Sequence, residues 1–170
     1  MVKGFLLQLL IITAAVISSC AGNSDNGKGI DAVKASPETL PPLSLKDMNG
    51  NSLNLADFKG KKVFVNMWAT WCPPCRAEMP SIQRLYEQTK DKNVQFAMIA
   101  LDEDFNKSIS YMKSSALLLP AFHPTEALPA LLDVQGIPAT FIFNENGGLI
   151  KKIEGGENYN TPEYVKLLSR

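Results

Sequence analysis

The sequence is short of the residues that most often hold metals or staple small folds. It has one histidine and three cysteines in 170 residues. A zinc site takes about four ligands. His123 and scattered carboxylates do not supply them, so no metal or other cofactor is expected. Three cysteines are too few for a disulfide framework, and a chain of this length can bury a full core without one. There is no charge excess either, with 17 basic residues against 17 acidic ones. That balance excludes the basic surface a nucleic-acid partner would need. Internal repeats and long low-complexity tracts are absent. So is an apolar run of membrane-spanning length. The longest, Phe5 to Val16, is broken by Gln8 and Thr13 and falls short of the roughly 20 residues a bilayer requires.

What the N-terminus does have is the layout of an export signal. Lys3 supplies positive charge, Phe5 to Val16 the apolar region, and Ser18 and Ser19 the small residues before Cys20. Ile17-Ser18-Ser19-Cys20 resembles the lipobox of bacterial lipoproteins. That resemblance implies cleavage before Cys20 and acylation of its side chain. Several acyl chains would hold the protein to a lipid membrane, each buried methylene contributing about 0.8 kcal/mol. A soluble periplasmic protein and an uncleaved anchor are the alternatives. Ala21 to Ser36 is rich in Gly, Asn, Ser, Asp and Lys without apolar periodicity, and reads as a tether. The expected organisation is a signal peptide over 1–19, a lipidated tether over 20–38 and one folded domain over 39–170.

Within that domain the periodicities alternate. Leu43 to Leu45 and Ser52 to Leu55 alternate apolar with polar residues around Asn49-Gly50-Asn51, a β-hairpin pattern. Val63 to Trp68 and Val94 to Leu101 are dense apolar runs that read as buried strands. Pro73 to about Thr89 and Asn106 to Ser115 read as helices. Thr125 to Asp133 reads as a weaker helix interrupted by Pro129. Strands are expected at Thr140 to Phe143 and Leu149 to Ile153, with a turn at 144–148. Thr161 to Leu168 closes as a helix, with Pro162 in its first turn. The class is α/β: a central mixed sheet flanked by helices, with an N-terminal β-hairpin extension.

Cys72 and Cys75 fall where a buried strand gives way to a helix, in Trp71-Cys72-Pro73-Pro74-Cys75. A helix start carries unpaired N–H groups and partial positive charge, which stabilise a thiolate and make it nucleophilic. With Cys72 as N-cap, Pro73 is the first helical residue and Cys75 the third, placed to donate its N–H to the Cys72 sulfur. A disulfide closing so short a loop constrains the unfolded chain little, so reactivity explains the pair better than stapling does. Covalent haem attachment would need histidine at position 76, which is Arg76. Pro73 and Pro74 have no N–H and remove two donors. Stabilising the reduced form is what makes such a pair oxidising, so this pair should lean toward reducing.

The stretch Val65-Asn66-Met67-Trp68-Ala69-Thr70-Trp71-Cys72-Pro73-Pro74-Cys75-Arg76-Ala77-Glu78-Met79-Pro80 resembles the active-site segment of thioredoxin-like proteins of the TlpA/ResA type. Gly136-Ile137-Pro138-Ala139-Thr140-Phe141 resembles their cis-proline loop. The resemblance implies a thioredoxin fold and an exported, membrane-tethered reductant of other proteins' disulfides, often in cytochrome c maturation. By the same resemblance Cys72 attacks, Cys75 resolves, and Pro138 is the cis-proline. A cis bond there would leave the Ile137 backbone beside the sulfurs, free to pair with an extended substrate segment. Trp71, Pro73, Pro74, Ile137 and Pro138 are thus the expected substrate-binding residues. Partners would be disulfide-containing exported proteins and a membrane electron-donor thiol protein, met by a monomer.

Glu78 shares a helix stripe with Cys75, Ile82 and Leu85. A carboxylate on that apolar stripe would have a raised pKa and suit proton exchange with a cysteine. Asn66 stands where ordinary thioredoxin has a buried aspartate, and an amide cannot shuttle protons. Pro80 should kink the helix. Trp71 is expected at the surface, Trp68 in the core, and His123 in a loop without chemistry. Ala139, where cytochrome-specialised relatives often carry a larger polar residue, argues against apocytochrome as the specific substrate. Competing functions are a disulfide isomerase or oxidase, a thiol peroxidase, and a non-catalytic binding module.

Overall fold

A computed structural model of the protein describes residues 38–169. The expected signal peptide, Cys20 and the tether up to residue 37 lie outside the described residues. The elements are β1 (Ser44–Asp47), β2 (Ser52–Asn54), a 3-10 turn (Leu55–Phe58), β3 (Lys62–Trp68), α1 (Pro73–Thr89), β4 (Val94–Ala100), α2 (Phe105–Ser114), β5 (Ala121–Pro124), β6 (Ala139–Phe143), β7 (Leu149–Glu154) and α3 (Pro162–Ser169). The strands form one sheet in the order β2-β1-β5-β4-β3-β6-β7. The pairs β3–β4 and β4–β5 are parallel, and the other pairs are antiparallel.

β3 lies at the centre of this arrangement and every one of its residues is buried. Strand side chains alternate between faces, so β3 feeds two cores. Phe64 and Trp68 join α1 residues Cys75, Met79, Ile82 and Leu85 and α3 residues Tyr164 and Leu168 on one face. Val63, Val65 and Met67 join Ala97, Ile99, Phe141 and Phe143 on the other. That second face is covered by Leu55 of the 3-10 turn and by Leu128, Leu131, Leu132 and Val134 from an irregular segment.

The segment corrects one expectation. Thr125 to Asp133 is not helical. Pro129 has no N–H to continue a helical ladder, and only one turn forms after it, with Leu132 N and Asp133 N donating to Pro129 O at 2.8 and 3.0 Å. A second correction is β5, which the sequence reading had as a loop. His123 therefore sits on a strand, its Nδ1 3.3 Å from Ala100 O and its ring stacked on Phe105. Among the described residues no helix is long and apolar enough to cross a membrane.

The parallel strands β3 and β4 end side by side at Trp68 and Ala100. In open α/β sheets the carboxyl ends of such strands are where sites are built. The loop from β3 into α1, and the loop leading into β6, meet at that end.

Candidate active site

Cys72 is the N-cap of α1, in extended backbone, and Pro73 and Pro74 open the helix. Its sulfur accepts from Cys75 N at 3.3 Å. Arg76 N is spent on Cys72 O at 3.2 Å. With both prolines lacking a donor, one N–H of the first helical turn reaches the sulfur. Cys72 and Cys75 are joined as a disulfide. The pair is asymmetric: Cys75 is sealed, whereas Cys72 keeps 4% of its surface in solvent. Beside it Trp71 is 66% exposed, the outward position expected of it, while Trp68 is in the core.

Facing the sulfurs is the loop before β6. The Ile137–Pro138 peptide bond is cis. Ile137 O lies 3.6 Å from Cys72 Sγ. A disulfide sulfur has no proton to give, so in this state the approach is a contact; a Cys72 thiol would donate along it. The loop is fixed from behind, where Gly155 N donates to Pro138 O at 2.8 Å and Ala139 pairs with Met67 and Glu154. Pro138 is buried and Ile137 half-buried. A cavity of about 220 Å³ opens on this side, lined by Gln135, Gly136, Ile137, Pro138, Glu154 and Gly155.

Glu78 lies one helical turn beyond Cys75 on the same face of α1 and is 4% exposed. The helix runs unbroken through Pro80. Glu78 Oε1 accepts from Asn66 Nδ2 at 2.8 Å, and Oε2 accepts from Glu157 N at 3.1 Å. Burial dominates over these two bonds and pushes the carboxyl from 4.5 up to about 7, with the nearby Glu157 charge adding to the rise. Asn66 Nδ2 also donates to Thr140 Oγ1 at 2.9 Å, and Tyr159 Oη donates to the same hydroxyl at 2.7 Å. Burial raises the Tyr159 phenol well above its ordinary value and keeps it protonated. A cleft of about 300 Å³ lined by Pro74, Ala77, Glu78, Gly156, Glu157 and Asn158 connects this carboxyl with the surface.

One residue escaped the sequence reading. Asp102, just past the end of β4, is 2% exposed. It accepts from Thr70 N at 3.0 Å, Thr70 Oγ1 at 2.5 Å and Ser108 Oγ at 2.6 Å. It thereby ties the loop that precedes Trp71 and Cys72 to α2. The available signal was a carboxylate directly after an apolar strand run, where burial demands partners. Replacing it by Ala would leave the buried Ser108 hydroxyl and two half-buried Thr70 donors without their acceptor, a cost of about 2–3 kcal/mol. Asp102→Ala should therefore lower the denaturation midpoint. An unchanged midpoint would show that water replaces the carboxylate there.

The remaining chemistry-bearing groups lie elsewhere. A larger cavity of about 750 Å³ lies between β7 and α3, lined by residues including Lys62, Ile150, Lys151, Glu163 and Leu167, and has none of the site residues. Among the described residues no group of His, Cys, Asp and Glu could hold a metal ion.

A buried carboxyl, a disulfide at a helix start and a cis-proline loop together describe a site for thiol-disulfide exchange, and known proteins agree. The model of the family described as Redoxin matches residues 35–168. Thiol-disulfide oxidoreductase ResA of Bacillus subtilis (strain 168) is 33% identical over 156 residues, covering 89% of this chain and 82% of its own. The thioredoxin-like protein YneN of the same organism is 36% identical over 115 residues, covering 65% and 66%. Among solved structures, a thiol:disulfide interchange protein of the thioredoxin family from Chlorobium tepidum TLS superposes with a TM-score of 0.65 at 28% identity. That match covers 80% of this chain and 99% of the other.

Proposed function

The chain belongs to the Redoxin family and is a thiol-disulfide oxidoreductase of the ResA type; from that premise we propose that it is an exported, lipid-anchored reductant of other proteins' disulfides. The Cys72 thiolate attacks a substrate disulfide, forming a mixed disulfide and releasing one substrate thiolate. Cys75 then gives its proton to Glu78 and attacks Cys72 Sγ. The second substrate thiolate leaves, and the Cys72–Cys75 disulfide remains. Two electrons and two protons pass to the substrate, the protons coming by way of Glu78 and solvent. A membrane thiol protein on the donor side returns the pair to its reduced form.

The observation that carries the reducing direction is the lone N–H on Cys72 Sγ. A thiolate with few donors is poorly stabilised, so the reduced form is a ready electron source. The half-buried Ile137 backbone and exposed Trp71 offer an extended substrate segment a pairing edge and an apolar surface. Exported proteins bearing disulfides fit that surface; apocytochrome c is one substrate class among them, with Ala139 offering no polar group specific to it. The enzyme acts as a monomer.

The test is the reduction potential of the Cys72–Cys75 pair, by equilibration with a thiol buffer. A value near or below about −270 mV is expected. One near −120 mV, at the strongly oxidising end of the scale, would make the protein a disulfide donor and refute the reductant reading. Anchoring is tested separately in a bacterial host. The Cys20→Ser variant should leave the membrane fraction for the soluble one or accumulate uncleaved; a cleaved variant still in the membrane would overturn lipidation at Cys20.

A further inference from the structure

The Glu78 carboxylate is held by two donors, and both favour its ionised form. Oε1 faces Asn66 Nδ2 and Oε2 faces Glu157 N. Each oxygen keeps a second lone pair for a proton, but both partners are N–H donors and neither can accept from the protonated acid. Glu157 N belongs to the backbone and cannot turn. Asn66 can, because a side-chain amide presents a donor on one side and an acceptor on the other.

The neighbours of Asn66 suit both orientations. In the present one, Nδ2 donates to Glu78 Oε1 and to Thr140 Oγ1. Asn66 Oδ1, fully buried, has no partner. Such an orphaned acceptor in a sealed interior costs free energy and needs a reason. A half turn of the amide supplies one. Oδ1 would take the place of Nδ2 and could accept both a Glu78 O–H and the Thr140 O–H. Thr140 Oγ1 would still accept from Tyr159 Oη, which is its donor now. Every hydroxyl in the cluster keeps a partner in both states. Each state leaves one side of the amide unpaired, an acceptor in one and a donor in the other, so the protonation state of Glu78 decides between them.

We propose, on the reading of Glu78 as the proton carrier, that Asn66 is a positioning residue whose side-chain amide turns over each time Glu78 gains or loses its proton. Asn66 itself exchanges no proton. When the Cys75 thiol gives its proton to the carboxylate, the amide presents Oδ1 and holds the acid. When the acid gives the proton up, the amide presents Nδ2 and holds the carboxylate. This explains asparagine at a position where aspartate would place a second carboxylate against Glu78 and leucine would pair with neither form. It also gives Thr140 and Tyr159 a task, as the fixed end against which the amide turns.

The experiment is NMR of the labelled full-length chain, oxidised, across the pH range that titrates Glu78. The expected result is a strong nuclear Overhauser effect from the Asn66 amide protons to the Thr140 methyl above the Glu78 midpoint and a weak one below it. The Glu78→Gln variant should remove that pH dependence. An effect of constant strength while the Glu78 carboxyl carbon titrates would overturn the turning amide alone. So would a pH-dependent change that survives Glu78→Gln. Failure of the underlying reading shows differently: Glu78→Gln would resolve mixed disulfides at the wild-type rate.

Discussion

Cys72→Ser should abolish disulfide reduction, with turnover falling on the order of 10³-fold or more, the scale set by removing a nucleophile from a group of residues that act as a unit. The structure makes the loss specific to this cysteine. Cys72 keeps 4% of its surface in solvent and touches Ile137 O, whereas Cys75 is fully buried. On that asymmetry a substrate disulfide should reach the first sulfur rather than the second. Cys75→Ser should accordingly behave differently. It should still attack but fail to resolve, and accumulate a mixed disulfide visible on a non-reducing gel. Exchanged phenotypes, with Cys75→Ser inert and Cys72→Ser trapping substrate, would reverse the roles. A Cys72→Ser chain that stays fully active would refute exchange chemistry at this pair altogether. The same variant separates the competing functions. A module that merely holds extended segments on the cis-proline loop would keep its binding without the sulfur. A thiol peroxidase would show peroxide consumption that Cys72 alone sustains.

How far the sequence announced this site depends on the range of the interactions concerned. Pro73-Pro74 after Cys72 marks a helix start by local backbone rules, and α1 begins and ends where the pattern places it, at Pro73 and Thr89. β3 and β4 are legible because a strand buried on both faces must be apolar throughout. Glu78 is legible because a carboxylate on an apolar helix stripe is costly without a purpose. β5 was not legible. It has four residues, begins directly after Pro120 and ends at Pro124, and draws its strand character from β4 and β1 on either side. Pro124 can stand there because it closes the strand. Thr125 to Asp133 failed for the converse reason. Its leucines have helical spacing, but they cover the second face of the sheet through irregular backbone. Asp102 and the Asn66–Thr140–Tyr159 cluster join residues from distant parts of the chain. No local pattern marks such a meeting; each member alone looks like an ordinary polar residue of a strand or a loop.

The buried carboxyl also sets a pH dependence whose sign follows from its environment. In the folded oxidised chain Glu78 titrates at about 7, against 4.5 for the unperturbed group. The folded state therefore binds this proton more tightly than the unfolded state does. Below pH 4.5 both states hold it, and its contribution to stability is fully present. As pH rises through about 7 the folded state must ionise a buried group, and that contribution is lost. The loss amounts to roughly 3 kcal/mol at 1.36 kcal/mol per pH unit. Glu78→Gln has nothing to ionise, so its denaturation midpoint should stay nearly level over this range while that of the parent chain falls. Parallel pH profiles would place the titration elsewhere. The chemistry should follow the same group. Recharging begins when a donor thiolate attacks Cys72 Sγ and expels the Cys75 thiolate, which needs a proton. On the proposed reading, protonated Glu78, one turn along α1, supplies it. Corrected for the donor's thiolate fraction, the recharging rate should fall as pH rises past about 7. Glu78→Gln should be slower by about a hundredfold and lose that inflection. A variant that is slow but keeps the inflection would mean that the proton comes from another group, and that Glu78 only shapes the pocket around it.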